Sequence, residues 1–132
     1  MQTMIDVVTK TRNQWIDITK EVNTAVGQSG VKEGMCFVFV PHTTAAVTIN
    51  ENADPTVPRD VVRKLEDIIP FIGDYQHLEG NSDAHIKAIL VGSSVSIPLW
   101  QGKLALGVWQ GIFFCEFDGP RNRKVRIIVS GS

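Results

Sequence analysis

Six consecutive residues, Met35-Cys-Phe-Val-Phe-Val40, are apolar without exception. The run is too short to cross a membrane and too uniform for an amphipathic element, so it predicts a central β-strand covered on both faces and ended by Pro41. A strand of that kind needs a layer above it and another below. The 132 residues leave room for one domain to supply them, residues 1–132, and a chain of this length buries roughly two-thirds of its unfolded surface.

Most of the remaining pattern is also β. Residues 4–8 and 15–18 are short mixed apolar stretches. Residues 46–50 alternate, with Val47 and Ile49 on one face and Thr48 and Asn50 on the other. Further strands are predicted at 96–99, 104–106, 112–117 and 125–129, punctuated by glycines at 102, 107, 111 and 119. Between them lie helix signals. One helix covers residues 19–29 and ends at Gly30. A second starts at Pro58, carries Val61, Val62, Leu65, Ile68 and Ile69 on one face, and stops at Pro70. A third begins at Asn81 or Ser82, both good N-caps, and runs through Ala84, Ile86, Ala88, Ile89 and Leu90 towards Gly92. Together these predict an α+β fold, a strand-rich, layered β-sandwich-like domain with two or three helices.

Thirteen basic residues against fourteen acidic ones give a formal charge of −1, which removes the broad positive field that non-specific nucleic-acid binding requires. No run of about 18 apolar residues occurs, and the first residues show neither a basic n-region nor an apolar h-region. Cys36 and Cys115 each sit within an apolar run, in no metal or redox spacing, and read as small buried hydrophobes of a reducing compartment; a disulfide between them stays open at this point. The expectation is a cytoplasmic protein that binds neither nucleic acid nor membrane.

The three histidines all fall in polar, turn-rich surroundings where elements end: His42 after the apolar strand, His77 after the second helix, and His85 in the first turn of the third. Taken singly, each is an ordinary surface or hydrogen-bonding residue. With Ala88 and Ile89 at i+3 and i+4, His85 is expected to face the sheet. If the three rings reach one place they suit zinc or another borderline divalent ion, with a coordination position left open. Glu116 shares its strand face with Ile112 and Phe114, so partial burial is expected to raise its pKa and fit it for proton transfer, against the plainer reading of an edge carboxylate. Arg121 and Arg123 extend the inner face of the last strand and are placed to clamp a phosphate or carboxylate, with the backbone N–H groups at Ser82 as a second anion site. Asn50, Glu51 and Asn52 form a further polar cluster. Trp109 and Gln110 lie between glycines in Gly107-Val-Trp-Gln-Gly111, read as a strand edge approached by ligand or by another subunit.

Four motifs in order, Pro41-His-Thr-Thr-Ala-Ala-Val-Thr-Ile-Asn-Glu-Asn-Ala-Asp54, Gly80-Asn-Ser-Asp-Ala-His85, Gly107-Val-Trp-Gln110 and Glu116-Phe-Asp-Gly-Pro-Arg121, closely resemble the YjbQ family of small proteins. The resemblance implies a homotrimer with a cleft near the subunit boundaries, and a pocket in which His42, His77 and His85 gather around a metal ion. It also implies a secondary thiamine-phosphate synthase activity. Two departures stand out: the family usually has threonine where this chain has Val108, and commonly serine where it has Ile89. The resulting expectation is a metal-dependent enzyme acting on a small anionic, phosphorylated substrate. Glu116 and Asp118 are its catalytic carboxylates, and Asn50, Glu51, Asn52, Ser82, Trp109, Gln110, Arg121 and Arg123 bind its substrate. The competing readings are a non-catalytic trimeric module that binds a metal or metabolite, and an interaction scaffold.

Overall fold

The computed structural model describes residues 1–132. In chain order its elements are β1 (Gln2–Val8), β2 (Gln14–Asp17), α1 (Thr19–Ser29), β3 (Gly34–Phe39), β4 (Ala45–Glu51), α2 (Thr56–Ile68), α3 (Ser82–Val91), β5 (Ser94–Trp100), β6 (Lys103–Leu104), β7 (Gln110–Glu116) and β8 (Asn122–Gly131). The strands form two antiparallel sheets, one ordered β1-β8-β3-β5-β6 and one ordered β2-β7-β4. The fold is α+β and layered, as the sequence pattern predicts. No helix is long and apolar enough to cross a membrane.

Strand periodicity explains the layers. In the larger sheet Cys36, Val38, Val125, Ile127, Val129, Ile97 and Leu99 point inward. They meet Ala45, Val47, Ile112 and Phe114 of the smaller sheet, while Val22, Ala25 and Val26 of α1 close the same core. The opposite face of the smaller sheet carries Ala46, Phe113, Cys115 and the following Phe117, which form a second core with Ala84 and Ala88 of α3. β7 is therefore the strand buried on both sides. Cys36 and Cys115 are buried free thiols in different cores; burial pushes Cys36 up to about 11 and Cys115 well above its usual range.

Two expectations need correction. β3 sits between β8 and β5 in the hydrogen-bonded order, yet only one of its faces is covered: Phe37 and Phe39 are both 41% exposed. Hydrogen bonding on both edges makes a strand central, but no other element of this chain packs over the outer face of the larger sheet. α3 is turned relative to its apolar residues. It buries Asp83, Ala84, Lys87 and Ala88 and exposes Ile86, Ile89 and Leu90, because small alanines allow close approach to β4 and β7 while the buried charges find partners described below.

α2 begins two residues before Pro58, at Thr56, where the Asp54 carboxylate accepts from the Thr56 N–H at 2.9 Å and its hydroxyl at 2.8 Å. Pro58 falls within the first turn, where no N–H is needed.

Phe114→Ala is expected to lower stability by about 3–5 kcal/mol in urea titrations, since it empties the centre of the main core. Phe37→Ala, on the open face, should cost less than about 1 kcal/mol in the same measurement.

Candidate functional site

The sequence places Glu116 among apolar neighbours at the end of β7, and there it is completely buried. Its carboxylate does not stand alone. Oε1 accepts from Arg123 Nε at 2.8 Å and from the Thr9 hydroxyl at 2.8 Å; Oε2 accepts from the N–H groups of Phe117 at 3.1 Å and Asp118 at 3.0 Å, and forms an ion pair with Arg123 Nη2. Burial pushes this carboxyl up, but the Arg123, Thr9 and Asp118 donors outweigh it and hold the group below the ordinary carboxylate range. This reverses the expected direction: five donors fix the ionised form, so Glu116 aims Arg123 and holds no proton at neutral pH. Arg123 is 4% exposed and also donates to Thr44 Oγ1 at 2.9 Å. Its fork is filled from inside the protein, which removes it as a bidentate clamp for a ligand.

Asp118 is similarly engaged. Its Oδ2 accepts from Asn81 Nδ2 at 2.8 Å and Arg121 Nη2 at 2.9 Å, and its backbone carbonyl accepts from Arg121 Nε at 2.8 Å. Arg121, half-exposed, is the cation left facing solvent. Behind it runs a network that sequence reading missed. Arg12 Nη2 donates to Asp83 Oδ1 at 2.9 Å, and Lys87 Nζ lies 3.9 Å from Asp83 Oδ2 and 3.3 Å from Asn13 Oδ1. Burial lowers the Lys87 ammonium despite the attraction of Asp83. The available signal was the i, i+4 spacing of Asp83 and Lys87 beside Ala84 and Ala88, two small residues that mark the close-packed stripe.

Three adjoining clefts form one groove over these groups. The first, about 550 Å³, is lined by His42, Thr43, Thr44, Ser93, Arg121 and Arg123. The second, about 340 Å³, shares His42, Thr43 and Ser93 and adds His85, Ala88 and Ile89. The third, about 440 Å³, shares His85 and adds His77, Ser82, Asp74 and Tyr75. The histidines thus follow one another along the groove with His85 in the middle. The rings of His77 and His85 meet edge to face, with centroids 5.3 Å apart, and His77 Nε2 lies 3.8 Å from Glu79 Oε2. His42 Nε2 accepts the Lys124 N–H at 3.0 Å; burial and the nearby Arg123 charge hold this ring below its ordinary value, in the neutral form. No three His, Cys, Asp or Glu side chains stand close enough together to hold a metal ion. His77 and His85, in ring contact, are two imidazoles of the donor type that a borderline divalent ion takes, whereas the acceptor nitrogen of neutral His42 is already used by the Lys124 N–H. His85 is only partly covered and opens onto the groove rather than lying against the sheet, because the neighbouring Ile89 is 83% exposed.

Asn50, Glu51, Asn52, Trp109 and Gln110 are not brought to this groove. β4 pairs with β7 from Ala45↔Glu116 at the groove end to Glu51↔Gln110 at the other, a separation of about 20 Å along the strand. Asn52 Nδ2 donates to Asp17 Oδ2 at 3.0 Å. Its side chain occupies the space beside Gly111, where an added Cβ would come within 2.4 Å of that nitrogen. The bare backbone at Gly111 thus receives Asn52, in place of the ligand or second subunit read from the glycines. Gln110 Oε1 accepts the Gly107 N–H at 2.8 Å and closes the turn, leaving Trp109 63% exposed at its tip.

Residues 3–132 match the family model described as UPF0047 protein YjbQ-like. A UPF0047 protein of Methanocaldococcus jannaschii is 50% identical over 125 residues, covering 95% of this chain and 91% of that protein. The Bacillus subtilis UPF0047 protein YugU is 44% identical over 128 residues, covering 96% and 97%. Among solved structures, a YjbQ/UPF0047 family protein of Clostridium acetobutylicum superimposes with a TM-score of 0.96 at 55% identity, covering 97% of this chain and 99% of that one. A YbjQ-like protein of unknown function from Sulfolobus solfataricus gives 0.96 at 33% identity, covering 100% and 97%.

Removing either member of the Glu116–Arg123 pair, as in Glu116→Gln or Arg123→Met, is expected to cost about 3–5 kcal/mol, and removing both should cost less than the sum. The pair's contribution is complete above the ordinary carboxyl value of 4.5 and declines as pH falls below it. Urea melts across pH should therefore show an acid limb that Glu116→Gln flattens.

Proposed function

The chain belongs to the UPF0047 YjbQ-like family, and on that premise we propose that its histidine groove is the divalent-cation and phosphate site of an enzyme acting on a small phosphorylated substrate. The observation that carries this reading is the juxtaposition along one groove of three imidazoles, two of them in ring contact, with the outward guanidinium of Arg121. His77 and His85 would hold the cation, zinc by donor type, and His42 would join them only by releasing the Lys124 N–H that its Nε2 accepts. When bound, the cation supplies charge stabilisation to a phosphoryl oxygen. The chain's own groups do the rest: Arg121 draws the anion, the hydroxyls of Thr43 and Ser93 and the helix start at Ser82 orient it, and Asp118 aims Arg121.

Displacement at a diphosphate spreads charge over the departing oxygens, so fixed cations and donors suit it more than a proton carrier does. Thiamine-phosphate synthesis, in which a thiazole phosphate displaces pyrophosphate from a pyrimidine diphosphate, is a side activity of that type. Glu116 and Asp118 act here as positioning residues. Their engagement in ion pairs also favours the second reading, a module that binds metal and metabolite without turnover. The exposed Ile86, Ile89 and Leu90 beside the groove support its coverage by further copies of the chain, as a homotrimer. The two free thiols are in keeping with a cytoplasmic location.

Elemental analysis of tag-free protein is expected to find about one zinc-like ion per chain, lost in His85→Ala. Arg121→Ala should keep the metal but weaken pyrophosphate binding about tenfold by calorimetry. Undetectable metal, with no thermal shift on adding zinc, manganese or nickel, overturns the site. Saturable binding with no product from any phosphorylated substrate favours the module.

A further inference from the structure

The second of the three clefts, about 340 Å³, differs from its neighbours in what it offers a ligand. Its rim is polar: His42, Thr43 and Ser93 are shared with the cleft of Arg121, and His85 with the cleft of His77. Its floor and outer wall are Ala45, Ala88, Gly92 and Ile89, none of which carries a hydrogen-bonding side chain. The floor lies low because both alanines are small and buried, and because the chain passes Gly92 with φ 104° and ψ 157°, a backbone that side chains rarely adopt. A Cβ at that glycine would meet nothing within 4 Å. Ile89, the wall, is the one exposed apolar residue of α3 in this cleft; Ile86 lines the third cleft and Leu90 the space beneath α2.

The shared rim ties the two clefts to one ligand. Thr43 and Ser93 are exposed, and the Arg121 side chain is 51% exposed, so all three reach an anion from solvent. An anion that Arg121 draws against those hydroxyls stands on the edge of the second cleft, and the group bonded to it lies over Ala88 and against Ile89. That surface discriminates by desolvation. A glycerol or sugar hydroxyl set on it gives up water and finds no partner, whereas an alkyl or aryl group covers apolar surface and gives up nothing.

On the reading of the groove as a phosphate site, which this inference rests on, we propose that the second cleft takes the apolar body of the phosphorylated ligand. The substrate class is then a phosphate ester of a small alkyl or aryl alcohol, not of a sugar or glycerol, and Ile89 is the residue that sets the preference. The phosphate lies with Arg121, Thr43 and Ser93, and the alkyl or aryl group lies on Ala45, Ala88 and Gly92 with Ile89 along its side.

Inorganic phosphate, phenyl phosphate and glycerol 3-phosphate separate the anion from its body. In calorimetric titrations of the purified chain, phenyl phosphate is expected to bind about tenfold tighter than inorganic phosphate, and glycerol 3-phosphate no tighter than inorganic phosphate. Ile89→Thr keeps the branched shape at an exposed position, so the variant folds, and it should cut the phenyl advantage to about threefold. Equal affinities for the three phosphates, all weakened in Arg121→Ala, leave the phosphate reading standing and overturn the apolar subsite alone. Binding of none of them overturns both. A phenyl advantage undiminished in Ile89→Thr overturns the assignment to Ile89. If instead the phenyl group adds nothing and Ile89→Thr sediments as a smaller assembly than the natural chain, the residue belongs to a contact between copies, and the subsite is overturned.

Discussion

The buried ion pair between Glu116 and Arg123 is what the remainder of the groove end rests on. It ties the last residue of β7 to the second residue of β8, and so joins the two sheets at one end of the sandwich. Thr9, after β1, and Thr44, before β4, contribute hydroxyls to the same pair. Three stretches distant in sequence, at residue 9, residue 44 and residues 116–123, therefore converge on two opposite charges. Desolvating those charges is costly, and the cost is offset only while every donor is in place. The arrangement selects one register for these chain ends, and that register carries His42 and Arg121 to the surface above it.

Asp118 extends the same logic outward. It links Arg121 to Asn81 at the start of α3, and Arg12 joins Asp118 to Asp83 within that helix. Arg12 also lies over the Phe71 ring at 4.0 Å, so the segment leading to His77 is fastened to the same charged cluster. The groove is thus held from beneath by paired charges, while its own lining presents hydroxyls, the His77 and His85 rings and the outward guanidinium of Arg121.

The strands and helices were legible because alternation and capping are local properties: residues 46–50 alternate as read, and Gly30 and Gly92 follow α1 and α3 as stops. The exposed side of β3 was not legible, since an unbroken apolar run does not say whether a neighbour covers it. α3 misled for a related reason. Ile86, Ile89 and Leu90 outweigh two alanines on any hydrophobic count, but close approach to a sheet is decided by side-chain size, and Asp83 and Lys87 could go inside only because Arg12 and Asn13 arrive from far along the chain. The histidines and Arg121 stand at element ends in the fold, as their polar, turn-rich surroundings in the sequence imply. Glu116 lies where strand alternation puts it, but its protonation is not legible locally, because it depends on Arg123 turning inward from seven residues away. Asn50, Glu51, Asn52, Trp109 and Gln110 were grouped with the histidines by motif, though pairing along β4 sends them to the opposite end.

β7 passes between two cores, so consecutive residues answer to different surroundings: Phe114 to the packed space between the sheets, Phe113 to the looser space under the helices. Adding or removing volume at one of them shifts a backbone on which the other also depends. The two aromatics are therefore coupled through one backbone, and the cost of a substitution at either depends on which side chain stands at the other. Variation has more freedom at the outer strands and at the helix that touches the sheet lightly, where the consequences of a change stay on one side.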